Sequence, residues 1–129
     1  MVIATSAIVA ILFGETDQAR LVAAIEAAPI GLISAVTRVE LACVVEGRKG
    51  EAGRALLEEF LRAAAIETVS VTAAQADVAI EAFRRFGRGR HPAGLNLGDC
   101  FSYALARVRN EALLFKGDDF SRTDLRAAG

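Results

Sequence analysis

A chain of 129 residues with 15 basic and 16 acidic side chains has a formal charge of −1, so no global field marks it for nucleic acid or a membrane surface. An apolar fraction of 53% is enough for one cored domain, expected to span residues 1–129. The apolar run from Val2 to Phe13 is too short for a bilayer and lacks the basic start of a secretory signal, which points to a cytoplasmic protein.

Val2 and Ile3 predict a short buried strand, followed by helices over Ser6 to Phe13 and Asp17 to Ala27. Pro29 and Gly31 punctuate a turn, and Gly31 to Ser34 fits a second strand. Thr37 to Glu46 is helical, with Gly47 as its expected end. Glu51 to Ala65 resumes the period, with Leu56, Leu57, Phe60 and Leu61 on one stripe. Thr68 to Val71 is β-branched and short, hence a third strand. Thr72 is placed as N-cap of a helix from Ala73 to Phe86, with Gln75 set for a capping box. Gly87 to Asn96 is a loop rich in Gly and Arg, Gly98 to Asn110 is helical, and Ala112 to Phe115 is an apolar strand running into KGDDF. Strands separated by helices imply parallel strands joined by right-handed crossovers. The fold class is therefore α/β, a three-layer α/β/α sandwich with a short, mainly parallel central sheet. Cys43 and Cys100 have no neighbour at metal-ligand spacing and are expected as reduced core residues.

In open α/β sheets, ligands and catalytic groups collect at the carboxyl ends of the strands. Ala4 stands at such an end, and so do Asp118 and Asp119. In VTRVELACVVEG, Glu40 shares a helical face with Val36, Val39, Cys43 and Gly47, a costly place for a carboxylate unless it is paired or bound to a cation. In LNLGDCFSYALA, Asp99 opens a helix on the same side as Ser102, Tyr103, Ala106 and Asn110, while Phe101, Leu105 and Val108 form the expected core side; Asp99 is thus expected to face a polar cleft. Each acid alone has an ordinary account as a surface ion pair, a first-turn acid or a turn signal. Together they suggest a converging acidic pocket. Carboxylates with no His nearby suit a hard cation such as Mg²⁺ or Mn²⁺.

The stretch FRRFGRGRH adds Arg84, Arg85, Arg88, Arg90 and His91 with no acid among them. Arginines interspersed with Phe and Gly suit phosphate contacts and base stacking in flexible, single-stranded nucleic acid, the alternative being a solvated rim. Lys116, beside the Asp118–Asp119 pair, is grouped with these basic residues as an expected phosphate contact. No GxGxxG, GxxxxGK[ST] or GxSxG motif is present, so nucleotide-binding loops and a serine nucleophile are not indicated.

The segments MVIATSA, RVE (Arg38 to Glu40), GRGRHPAGLNLGDCFSYALA and LLFKGDDF together resemble the PIN-domain ribonucleases, and more closely the VapC-type toxins of bacterial toxin–antitoxin pairs. The resemblance covers nearly the whole chain. It implies a Mg²⁺- or Mn²⁺-dependent endoribonuclease whose metal acids are Glu40, Asp99 and one of Asp118 and Asp119, supported by Thr5, Ser6, Asn96 and Ser102. It also implies cleavage by activated water to 5′-phosphate and 3′-hydroxyl ends, a homodimer, a cognate VapB-type antitoxin, and contact with operator DNA only through that antitoxin. The apolar helices IVAILF and LVAAIEAA could supply these interfaces.

The chain departs from the family at one position. Where the family strand reads V-I-D-T-S, this one reads V-I-A-T-S, so Ala4 replaces the first catalytic aspartate while Thr5 and Ser6 are kept. Ala4 is therefore expected to inactivate an otherwise intact nuclease, as a deliberate substitution rather than a natural variant. The competing expectation is a non-catalytic module that pairs with its antitoxin and acts in operator regulation.

Overall fold

The computed structural model describes residues 1–129. Four short strands, β1 (Val2–Ile3), β2 (Leu32–Ser34), β3 (Glu67–Val69) and β4 (Leu113–Leu114), form one sheet in the order β3-β2-β1-β4, and every pairing is parallel. The strand nearest the N-terminus is thus central, with Ala4 N–H donating to Leu114 O at 2.9 Å. The outer edge of β4 is closed by the C-terminal tail, where Leu113 bridges Ala127, leaving no long unpaired edge on that side.

Side-chain alternation along the strands assigns the two outer layers. Val2, Leu32 and Leu113 pack with α4 (Ala73–Phe86) and α5 (Leu97–Arg109). Ile3, Ile33 and Leu114 pack with α1 (Thr5–Leu12), α2 (Gln18–Ala27) and α3 (Ala35–Ala63). Strands this short are stable only because both faces are covered, which matches the unbroken apolar character of Val2–Ile3 and Leu113–Leu114. No helix is long and apolar enough to cross a membrane.

Several expectations need correction. The two helical stretches abut within α3, and the break between them lies at Gly50 rather than Gly47, because Gly50 takes a non-helical conformation at φ 57° and ψ −140°. The buried stripe of α3 is Thr37, Leu41, Val45 and, beyond the kink, Leu57; Val39, Cys43 and Leu56 are exposed. Cys43 is therefore a surface thiol, whereas Cys100 is buried as expected. The Thr72 hydroxyl accepts from Gln75 N–H at 3.1 Å, but the Gln75 side chain turns to Ser70 O, so only half of the capping box forms.

α5 differs most. Ser102, Tyr103 and Ala106 are buried while Val108 is exposed, because α5 lies against the sheet, α4 and α3 at once. Its Ser102 side is packed, not open. In α1, Ala7, Ile8, Ala10 and Ile11 are buried in the core, while Val9 and Leu12 stay half-buried. The exposed apolar groove lies elsewhere, between α4 and α5, where Ile80, Phe83 and Leu97 reach solvent, Leu97 to 74%.

Candidate active site

Four helices or turns begin at the carboxyl edge of the sheet, and each delivers one of the expected residues. Ala4 follows β1 and is the N-cap of α1, with φ −80° and ψ 158° and no side-chain cap; it is 1% exposed. The next residue, Thr5, donates its hydroxyl to the Glu40 carboxylate, which arrives half-buried from the second turn of α3. Ser6 Oγ accepts from Lys116 N–H at 3.0 Å, which ties the chain leaving β4 to the first turn of α1. Thr5 thus orients an acid; Ser6 holds backbone.

Asp99 enters from α5 in a complete capping box. Asn96 Oδ1 accepts from Asp99 N–H at 2.8 Å, and Asp99 Oδ2 accepts from Asn96 N–H at 3.0 Å. Burial pushes the Asp99 carboxyl up to about 6; the Asn96 N–H opposes this, the charges of Asp119 and Glu40 add to it, and Arg88 partly offsets it. The acids that act on Asp99 are therefore Glu40 and Asp119. Asp118 instead lines a separate groove with Asp17, Arg20 and Lys116. Phe120 is buried and lies 5.5 Å from the Phe115 ring, which roots the turn just after Asp119.

Gly98 is what lets Glu40 approach. A Cβ on Gly98 would overlap both carboxylate oxygens of Glu40, so the acid of α3 lies directly against the first turn of α5. Ser102, expected beside Asp99, instead shares a 3.1 Å hydrogen bond with Thr37 in the buried contact between α3 and α5. It joins the two helices that carry Glu40 and Asp99, and it touches neither acid. Thr37 is invisible as a site residue in sequence, since its partner lies 65 positions away.

The basic residues separate. Arg84 pairs with Glu81 at 3.7 Å, and Arg85 pairs with Asp124 at 3.4 Å and lies over the Phe86 ring. Arg90 lies over the Phe83 ring. His91 Nδ1 accepts from Ala93 N–H at 3.0 Å, so its role in the structure is to shape the loop. Lys116 pairs with Glu15. Arg88 has no such partner. Asp124, which sequence did not single out, also receives the Tyr103 hydroxyl at 2.7 Å and Arg107 at 3.5 Å. Burial and the Asp124 charge push the Tyr103 hydroxyl up to about 12. This cluster closes the far end of the turn that carries Asp119. Tyr103→Phe is expected to cost about 1 kcal/mol in urea unfolding; no change would mean that the arginines alone hold Asp124.

The charge on Asp99 makes a second expectation testable. Its folded-state value of about 6 lies above the ordinary 3.8. The folded chain therefore holds this proton more tightly than the unfolded chain, and stability falls as pH rises through about 6. Asp99→Asn keeps an oxygen for the Asn96 N–H and removes the charge. It should melt higher than the unsubstituted chain at about pH 7.5 in EDTA, with the difference closing by about pH 4. A lower melting temperature at both values would make Asp99 a structural partner.

A parallel α/β/α layer with acids gathered at the strand ends is one class of domain, and the comparisons agree on which. The family model described as the PIN domain matches residues 1–125, and the chain belongs to the PIN-domain family. Among curated proteins it is similar to Ribonuclease VapC30 of Mycobacterium tuberculosis, 52% identical over 125 residues, or 97% of this chain and 95% of that protein. It is 50% identical over 127 residues to Ribonuclease VapC of Mycolicibacterium smegmatis, covering 98% of each. Among solved structures, VapC20 of Mycobacterium tuberculosis, described as a Sarcin-Ricin loop cleaving toxin, has a TM-score of 0.77 at 17% identity, covering 96% of this chain and 95% of that one. VapBC2 from Rickettsia felis, solved on a DNA fragment from its promoter, has a TM-score of 0.76 at 16% identity, covering 98% and 94%. At these identities the structures bear on the fold alone.

Proposed function

We infer that the chain is the toxin component of a type II toxin–antitoxin pair, a PIN-domain endoribonuclease whose cleavage is switched off or strongly impaired by Ala4. The observation that carries this reading is that Glu40 lies against the first turn of α5, which carries Asp99, and is held by Thr5 beside the position where Ala4 buries its methyl group. The relatives named ribonucleases at about half identity support the activity.

The donor set suits a hard cation in kind, being carboxylate oxygen without histidine or thiolate. It does not suit one in number, because no three such side chains close round a common point in this chain. No hydrolytic step is therefore assigned to the chain as written. An aspartate at position 4 would supply the missing anionic oxygen. A Mg²⁺ or Mn²⁺ ion bound there would supply a more acidic water and positive charge against the reacting phosphate. The chain's own residues do the holding. Thr5 holds Glu40, Asn96 holds Asp99, and the buried Phe120 roots the turn that follows Asp119.

A cognate VapB-type antitoxin, a homodimer and a cytoplasmic location belong to the same reading, with operator DNA reached through the antitoxin. The test is RNA cleavage by the Ala4→Asp protein with Mg²⁺ or Mn²⁺ and its loss in EDTA. A second reading, a non-catalytic module that pairs with its antitoxin in operator regulation, is favoured by the incomplete acid set. It would be supported if the restored protein cut no RNA yet still bound antitoxin on operator DNA.

A further inference from the structure

The fold buries four polar side chains, Ser34, Thr37, Gln75 and Ser102. Two of them serve their own segment. Ser34 Oγ accepts from Val36 N–H at 3.1 Å at the start of α3, and the Gln75 amide donates to Ser70 O at 3.3 Å beside the start of α4. Thr37 and Ser102 instead bond each other across 65 positions, their hydroxyl oxygens 3.1 Å apart, and both are buried. Neither helix needs this bond in order to form. The core does not need it either, because an apolar pair of the same shape would fill the contact with little change in stability.

What the pair adds is position. On α3, Thr37 lies three residues before Glu40; on α5, Ser102 lies three residues after Asp99 and four after Gly98. Each of these spacings is about one helical turn, so the residues are neighbours on their helix surface. Glu40 lies directly against Gly98, where a Cβ would overlap its carboxylate oxygens. Thr37 with Ser102 and Glu40 with Gly98 are thus successive rungs of one contact between α3 and α5. Apolar burial is non-directional, whereas a hydrogen bond between hydroxyls weakens steeply with distance and angle. A shift of α3 against α5 that breaks the first rung also moves the second.

We propose that Thr37 is a positioning residue: through its bond to Ser102 it sets how closely Glu40 stands against α5, and so the separation of the Glu40 and Asp99 carboxylates that a cation must span. This rests on the endoribonuclease reading above. Thr37 itself meets neither RNA nor cation, because it is fully buried. It acts only through the helix that carries Glu40.

The experiment compares Thr37→Val, Ser102→Ala, the two together and Thr37→Ser in the Ala4→Asp protein. Thr37→Val should lower kcat on RNA, and Mn²⁺ affinity in calorimetric titration, by about tenfold or more, the scale of losing a group that holds a ligand in place. KM for RNA should change little. Thr37→Ser keeps the hydroxyl and should retain most of both. The double variant separates position from packing. It leaves no unpaired hydroxyl, so it should melt above Thr37→Val in EDTA, while kcat and Mn²⁺ affinity stay as low, because both substitutions break one bond. Activity that recovers together with stability, losses that add in the double variant, failure of Thr37→Ser to rescue, or a Thr37→Val protein equal to its parent would overturn the proposal. If Thr37→Val does not fold, Ser102→Ala breaks the same bond by removing one oxygen and carries the same expectations. A crystal structure of the chain as written with Thr37→Val tests placement without cleavage. Glu40 should be displaced from Gly98 and from the Thr5 hydroxyl, and an unmoved Glu40 overturns the proposal whatever the assay gives. If the Ala4→Asp protein cuts nothing while Glu40 does move, the nuclease reading fails and the positioning of Glu40 by Thr37 stands without it.

Discussion

Ala4→Asp is expected to turn on RNA cleavage that requires Mg²⁺ or Mn²⁺ and stops in EDTA. The local backbone is already prepared for the aspartate. Position 4 has extended dihedrals at the N-cap of α1, where an aspartate oxygen can accept a first-turn N–H, and α1 has no acid in that turn. A cap of this kind contributes about 1 kcal/mol. Against it stand burial, since Ala4 is 1% exposed, and the nearby charges of Glu40, Asp99 and Asp119. The restored protein should therefore melt no higher than the Ala4 chain in EDTA, and clearly higher once Mn²⁺ is added. Cation charge stabilisation is worth several kcal/mol to the transition state. About 4 kcal/mol corresponds to about three decades in rate. Equal Mn²⁺ affinity of the two proteins in calorimetric titration would show that position 4 never belonged to a cation site.

The order of strands and helices was legible because each strand is a short apolar run bounded by turn residues and each helix keeps its period. Parallel pairing followed from the alternation. What sequence could not show depends on contacts across the chain. Gly47 and Gly50 look equivalent as breakers, and only the folded arrangement puts Gly50 at positive φ. Val39 and Cys43 look like core, but the face that meets the sheet is set by Thr37, Leu41 and Val45. Ser102 and Tyr103 look like a polar side of α5. Both are buried, because Thr37 and Asp124 satisfy their hydroxyls. The acids themselves were legible as types at strand and helix mouths. Their sorting was not: the charge of Asp119 acts on Asp99, whereas Asp118 lines a groove with Asp17, Arg20 and Lys116.

Gly98→Ala should separate stability from function in a way that no substitution of the acids can. Gly98 lies in the first turn of α5, with no positive φ, so alanine fits its backbone and should favour the helix by up to about 1 kcal/mol. The three atoms nearest the added methyl group all belong to the Glu40 carboxylate, the far end of a flexible side chain. Glu40 can swing aside without moving either helix, but doing so strains or breaks its bond from Thr5 and carries its oxygens away from Asp99. In the Ala4→Asp protein, Gly98→Ala should keep or raise the melting temperature in EDTA while Mn²⁺ affinity falls at least tenfold. Cleavage should drop by about two decades, because an ångström-scale misplacement of one group can cost a hundredfold. The pairing of these results is diagnostic. Full activity with normal Mn²⁺ affinity would show that Glu40 need not lie against α5, and a large loss of stability would show that Gly98 serves packing rather than the position of the acid.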